Sequence, residues 1–300
     1  MTMDAGDRRV APEVLAFLGK IETLPGLPAA VGETLRAIDS GAPLDAVADH
    51  VATDVGVAAR ILQIANSPLY RGGAPVEDLV EAVRRLGTGS VRELLLTISV
   101  VREFRDADGF DYEAFWQHSL TTAIAADRLL EAGRGRSCAG SPQLDRVFIA
   151  GLLHDIGVLV LVRQAGDRYR DVLEASEREG APLYETERRH LGFSHGEVGE
   201  VVLRSWNLPD RVAQLARWHH HPRFAPPELR EEAALIHLAD WIAHRVDEGA
   251  SCEGHLDRFD DAAWDLLSMQ TEAIPEILAT FEEAAKEGSL LFQEVAGGTA

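Results

Sequence analysis

The chain has 300 residues, enough for one large domain or two, and its 46% hydrophobic content excludes wholesale disorder. Its 29 Lys+Arg against 49 Asp+Glu give a formal net charge of −20, which repels nucleic acid and anionic membrane. Two isolated cysteines, Cys138 and Cys252, exclude a disulfide framework, while eleven histidines turn attention to imidazole and carboxylate chemistry.

Helical periodicity runs through nearly the whole chain. Val14, Leu15, Leu18 and Ile21 recur at helix spacing, and Leu24-Pro25-Gly26-Leu27-Pro28 then breaks the chain. A helix through Val31, Leu35 and Ile38 stops at Ser40-Gly41, and Leu44, Val47, Ala48 and Val51 form the next apolar stripe. Asp54 is placed to cap a helix through Val57, Ile61, Leu62 and Ala65, closed by Asn66-Ser67-Pro68 and a loop at Arg71-Gly72-Gly73. Leu79 to Leu86 reads as a short helix stopped at Gly87, with Ser90 capping a longer one through Leu94, Leu95, Ile98 and Val101. These short helices could form a helix-turn-helix, but Asp54 to Ala65 carries one base, Arg60, too little to grip phosphates, so a bundle is expected and DNA is not.

Asp106 to Gly109 is a polar boundary. A helix is expected from about Tyr112 to Ala132, then a Gly/Ser/Pro/Arg stretch from Gly133 to Pro142, then a helix carrying Phe148 to Leu161. Further helices are expected over Tyr169–Glu179, Leu183–His190, Gly196–Ser205, Pro209–His219, Leu229–Val246, Ala262–Met269 and Pro275–Lys286. No segment alternates apolar and polar residues as a strand would, so the expected fold class is all-α. No opening segment reads as a secretory signal. The longest apolar stretch, Ile156 to Val162, is too short to span a bilayer, so a cytoplasmic protein without a membrane partner is expected.

The most informative segment is Gly151-Leu152-Leu153-His154-Asp155-Ile156-Gly157. An ionised carboxylate inside an apolar helix costs several kcal/mol unless it is paired or binds a metal. The dipeptide alone leaves two readings: a metal-binding pair, or a hydrogen-bonded core His beside a capping Asp. Other segments add donors. His118 lies in Phe115-Trp116-Gln117-His118-Ser119, and His195 opens a helix in Phe193-Ser194-His195-Gly196-Glu197. His219-His220-His221 end a helix, and Asp240 sits in an apolar helix with His237 three residues before it and His244 four after. One shared site is more economical than a separate local explanation for each. Imidazole with carboxylate suits Zn, Mn, Fe or Ni, as one ion or two.

The order His118, His154-Asp155, Asp240 resembles the H…HD…D signature of the HD-domain metal-dependent phosphohydrolases. The finer pattern resembles the HDOD family, the HD-related output domains of bacterial signalling. It is carried by Leu24 to Pro28, Ile64-Ala65-Asn66-Ser67-Pro68-Leu69-Tyr70, Glu81-Ala82-Val83-Arg84-Arg85-Leu86-Gly87, Phe115 to Ser119, Gly151 to Gly157, His195-Gly196-Glu197-Val198-Gly199, Trp206-Asn207-Leu208-Pro209 and His219-His220. The resemblance spans about Ile21 to Val246 and implies an N-terminal helical lobe packed on an HD-type bundle. The organisation expected from it is an N-terminal extension over 1–20, the lobe over 21–109, the metal-binding bundle over 110–246 and a C-terminal helical extension over 247–300.

The resemblance also implies a regulatory output module with a signalling protein partner; a homodimer is a separate expectation. The related HD-GYP phosphodiesterases, which cleave cyclic di-GMP, imply the ligand set His118, His154, Asp155, His195, His219, His220 and Asp240. Under the hydrolytic alternative, acting on a nucleotide or cyclic dinucleotide, Asp155 bridges two ions that share a water, and Arg163, Arg168, Arg188 and Arg217 are candidate phosphate contacts. Two departures weigh against hydrolysis. Val158 stands where those enzymes have a Lys, and His221-Pro222-Arg223-Phe224 replaces their Gly-Tyr-Pro loop.

Overall fold

In the computed structural model the described residues are 12–19, 29–67, 74–104, 110–134, 147–246, 260–267 and 274–296. The Leu24–Pro28 break, Pro68 to Gly73, Asp106 to Gly109, most of Gly133 to Pro142, both cysteines and His255 lie outside them. Among the described residues every regular element is helical, and the fold is all-α.

The chain divides into two compact units. One comprises Gly26–Arg105 with Leu290–Ala300. Its helices are α2 (Ala29–Asp39), α3 (Leu44–Ala52), α4 (Val55–Ala65) and α5 (Leu79–Glu103). Asp54 caps α4 as its sequence position requires: Oδ1 accepts from the N–H groups of Gly56 at 2.9 Å and Val57 at 3.2 Å. Asn66 does more than end α4. Its amide donates to the carbonyls of Leu62 and Val76 and accepts from the Val76 N–H. Gly87 breaks the helix, as its place in the sequence suggests: the backbone leaves helical geometry there (φ 79°, ψ 154°), and α5 is two helical segments joined at a kink.

The other unit comprises Met1–Pro25 and Asp106–Ser289. It holds α1 (Pro12–Leu18), α6 (Tyr112–Arg134), α7 (Val147–Leu153), α8 (Ile156–Ala165), α9 (Asp167–Glu179), α10 (Leu183–Leu191), α11 (His195–Ser205), α12 (Asp210–Trp218), α13 (Arg230–Val246), α14 (Ala262–Leu267) and most of α15 (Ile274–Ala296). α6 packs on α7 and α13, and α11 packs on α8 and α12. Close approach at Gly151 explains the first contact: a Cβ there would lie 2.9 Å from the Ala123 Cα. α15 runs well past Lys286. It docks on α6, where Arg128 pairs with Glu283 and Glu287 and the Thr121 backbone lies against Gly288.

The expected helix over Phe148 to Leu161 is instead two helices. The chain turns at His154-Asp155, where the His154 ring bonds back to the Gly151 carbonyl and the Asp155 carbonyl starts α8 by accepting from Val158 N–H at 2.8 Å. The whole apolar stretch Val147–Ala165 is long and apolar enough to cross a membrane, longer than the run Ile156 to Val162. That turn interrupts it, and 83% of its most apolar window is buried within the fold.

Candidate metal centre

The turn between α7 and α8 is where donors converge. His118 comes from α6, His154 and Asp155 from the turn, His195 from the first position of α11, His219 and His220 from the end of α12, and Asp240 from the middle of α13. All seven are buried, none more than 6% exposed. His118 Nε2 lies 3.0 Å from Asp240 Oδ1, and His154 Nε2 lies 3.1 Å from Asp155 Oδ2 and 3.4 Å from Asp240 Oδ1. Asp155 Oδ1 lies 3.3 Å from Nε2 of both His195 and His219. The seven residues implied from sequence therefore meet at one place.

The rings are oriented from behind. His154 Nδ1–H donates to the Gly151 carbonyl at 2.6 Å, His219 Nδ1–H to the Ala216 carbonyl at 2.7 Å, and His195 Nδ1–H to Glu187 at 2.8 Å. A carbonyl or carboxylate oxygen only accepts, so Nδ1 of each ring carries a proton and each Nε2 faces inward. This is the orientation of metal-ligating histidines. The inner atoms His154 Nε2, His219 Nε2 and Asp155 Oδ1 close no properly directed hydrogen bond, and His195 Nε2 and His220 Nε2 face each other at 2.8 Å. Buried polar atoms left this way call for a further partner. The donors fit one: Asp155, His195, His219 and His220 offer ligand atoms within 4.8 Å of one another, and so do His118-His154-Asp155, His118-Asp240-His244 and His154-His219-Asp240.

The electrostatics agree. Burial opposes the charged form of His154, but Asp155 and then Asp240 outweigh it and raise its pKa well above 6.5. Burial likewise opposes charge on His195, and Glu187 with Asp155 overcomes it. Burial works against the Asp155 and Asp240 carboxylates too, yet His154 holds the first and His244 with His118 the second well below the usual range. His220 goes the other way, pushed well down by burial and then by His219 and His195. Two buried carboxylates thus demand positive charge among these rings. Protons supply it, and a divalent cation supplies it by displacing them.

The HDOD domain pattern matches residues 24–222. The chain belongs to the HDOD family. It is similar to an HDOD domain protein of unknown function from Geobacter sulfurreducens, at 25% identity and a TM-score of 0.78, covering 94% of this chain and 97% of that one. It is also similar to a Shewanella amazonensis SB2B protein provisionally named a phosphohydrolase, at 26% identity and a TM-score of 0.70, covering 92% and 97%. An uncharacterized protein of Treponema pallidum (strain Nichols) is 23% identical over 229 residues, which is 76% of this chain but only 44% of that relative's length.

Two residues in contact with the donors lie outside the ligand set implied from the sequence. His244 Nδ1 reaches Asp240 Oδ1 at 3.1 Å, a full turn along α13, and its i+4 offset was visible in the sequence. Glu187 is wholly buried behind His195, and nothing in Glu185 to Arg189 marks it off from a solvated helix face. The four arginines differ in their surroundings. Arg163 and Arg168 are exposed, and Arg168 donates to the His190 carbonyl. Arg217 pairs with Glu200 at 2.6 Å, and Arg188 with Glu197 at 3.0 Å.

His237, on the sequence face of Asp240, belongs to none of the four donor groups. Its Nε2 accepts from the Asp260 N–H at 2.9 Å, and burial above all lowers its pKa from 6.5 to about 4. The unfolded chain therefore takes up this proton first. The contribution is intact above about pH 7 and is lost as pH falls toward 4. Urea unfolding at pH 7 and pH 5 should show wild type losing about 2 kcal/mol more than His237→Gln. Equal losses would contradict the buried neutral ring.

Proposed function

We propose that this chain is a regulatory HDOD module of bacterial signal transduction, whose buried metal centre fixes the packing of the bundle that a signalling protein partner reads. The carrying observation is a complete donor set that is closed over: seven ligands of at most 6% exposure, three of them oriented through Nδ1. Burial this deep suits a centre that holds helices together better than one that turns over substrate. Val158, at the position of the catalytic Lys in the resembling phosphodiesterases, is apolar and 1% exposed, so it neither donates nor carries charge. Fe, Mn, Zn and Ni all suit the donors, as one ion or two.

The hydrolytic reading has one observation in its favour: no family ligand position is vacant, and Asp155 is shared between donor groups as a bridging carboxylate would be. A bound divalent ion would there supply charge for a phosphate and a water of lowered pKa. Elemental analysis of purified protein, followed by a panel of phosphomonoesters, phosphodiesters and cyclic dinucleotides, separates the two. The regulatory reading expects at least one transition-metal ion per chain and no turnover above buffer. Turnover abolished by Asp155→Ala would replace it with the hydrolase. Metal-free protein that also fails to take up added ion would remove the metal from both.

A further inference from the structure

We infer that Glu187, acting through His195, makes the four-donor end of the centre its tightest metal position, and that Tyr169 holds Glu187 for that task. The inference rests on the metal reading above. Glu187 and Tyr169 are both wholly buried. The Tyr169 hydroxyl donates to Glu187 Oε1 at 2.5 Å, while Oε2 accepts from the His195 backbone N–H at 2.7 Å and from Nδ1–H at 2.8 Å. Three donors therefore fix both carboxylate oxygens, and the carboxylate fixes the plane and tautomer of one ring.

The other anchored rings differ. His154 and His219 donate to neutral backbone carbonyls, those of Gly151 and Ala216. Only at His195, among these three rings, does a full negative charge stand behind the ligand. A carboxylate there makes Nε2 a better donor and adds charge favourable to a cation on the far side of the ring. The same end also has the larger donor group, Asp155, His195, His219 and His220, against three residues in each of the others. Four donors close a tetrahedral site without help from solvent. Glu187 is thus a positioning residue, with the first ion expected between Asp155 and the pair His195 and His220.

A purely structural account also exists, because Glu187 satisfies the N–H of the first residue of α11, where negative charge is favoured. Metal affinity separates the two. The full chain, stripped with chelator, is titrated with Zn²⁺ alone in a calorimeter, and its fold is followed by circular dichroism. Glu187→Gln keeps the shape and an acceptor for Nδ1–H but loses the charge. It should bind the first ion about 10–100-fold more weakly, at unchanged helical content. Tyr169→Phe, which frees Oε1, should lose less than Glu187→Gln. His118→Ala removes a donor that lies outside the four-donor group and should lose less first-ion affinity than Glu187→Gln. Glu187→Gln with wild-type affinity, or His118→Ala losing the first ion as deeply, overturns the inference. If Glu187→Gln does not fold, Tyr169→Phe decides, and wild-type affinity there is the refuting result. Stripped wild type that takes up no Zn²⁺ refutes the metal centre itself, a different failure.

Discussion

Asp155→Asn is expected to disable the metal centre while leaving the helices folded. Asp155 sits at the crossing of the donor groups, belonging both to the four-donor group and to His118-His154-Asp155. Its Oδ2 meets His154 at 3.1 Å, and its Oδ1 meets His195 and His219 at 3.3 Å. Asn preserves the volume but removes the charge. Loss of an orienting group behind a ligand already costs about 10–100-fold in affinity. Loss of a shared anionic ligand should exceed that, so affinity should fall by more than about 100-fold. The fold should survive because the neighbours adapt. The Asp155 charge is a main cause that raises the His154 pKa against burial, so its loss weakens the drive to hold positive charge on that ring, and Asp240 stays beside it at 3.4 Å. The expected stability cost is about 1–3 kcal/mol, that of imperfectly satisfied buried polar atoms. Parallel metal titration and urea unfolding test both halves. Wild-type metal uptake by Asp155→Asn would mean that the ions, if any, sit elsewhere.

The same crossing shows why so much of the centre was legible in the sequence. Seven candidate ligands lie on five separate helical segments, but each is either the polar interruption of an apolar run or the end of one. His154-Asp155 and Asp240 stand out because burial of such groups needs a reason. The helices were legible through their apolar spacing and through caps such as Asp54. What periodicity could not show is geometry that an apolar run conceals. Apart from His154 and Asp155, Val147 to Val162 is apolar on all sides, so its periodicity does not mark the turn at His154. That turn depends on a ring bonding back to Gly151, a contact without a spacing signature. Glu187 is the converse case. It lies among Glu185, Arg188 and Arg189, a composition that reads as solvated, and it is buried only because α10 packs between α9 and α11. Residues that tune a site from behind are specified by tertiary packing, and a single sequence carries little trace of them.

Gly157→Ala should be among the most damaging single changes in the chain, although it adds one methyl group. A Cβ at Gly157 would lie 2.0 Å from the His195 carbonyl oxygen, 2.7 Å from its carbon and 2.9 Å from the Gly199 nitrogen. All three atoms are backbone, so no side-chain rotation relieves the clash. α8 and α11 must move apart by an ångström or more, in a region where Ile156, Val158, Val198 and Val202 are essentially sealed from solvent. Overpacking of side chains usually costs about 1–3 kcal/mol. Backbone against backbone belongs above that range, at about 4 kcal/mol or more, a large share of the roughly 5–15 kcal/mol that stabilises a folded protein. The displacement also reaches the centre, because the clashing carbonyl is that of His195, whose ring now lies 3.3 Å from Asp155. Gly157→Ala should therefore melt far below wild type and, where still folded, bind metal weakly. Gly89→Ala is the matched control. It adds the same methyl inside α5, where nothing lies within 4 Å of the new Cβ. Removing a helical glycine there should stabilise by about 0.4–1 kcal/mol. A Gly157→Ala protein within about 1 kcal/mol of wild type in denaturant unfolding would show that α8 and α11 are not held at this distance.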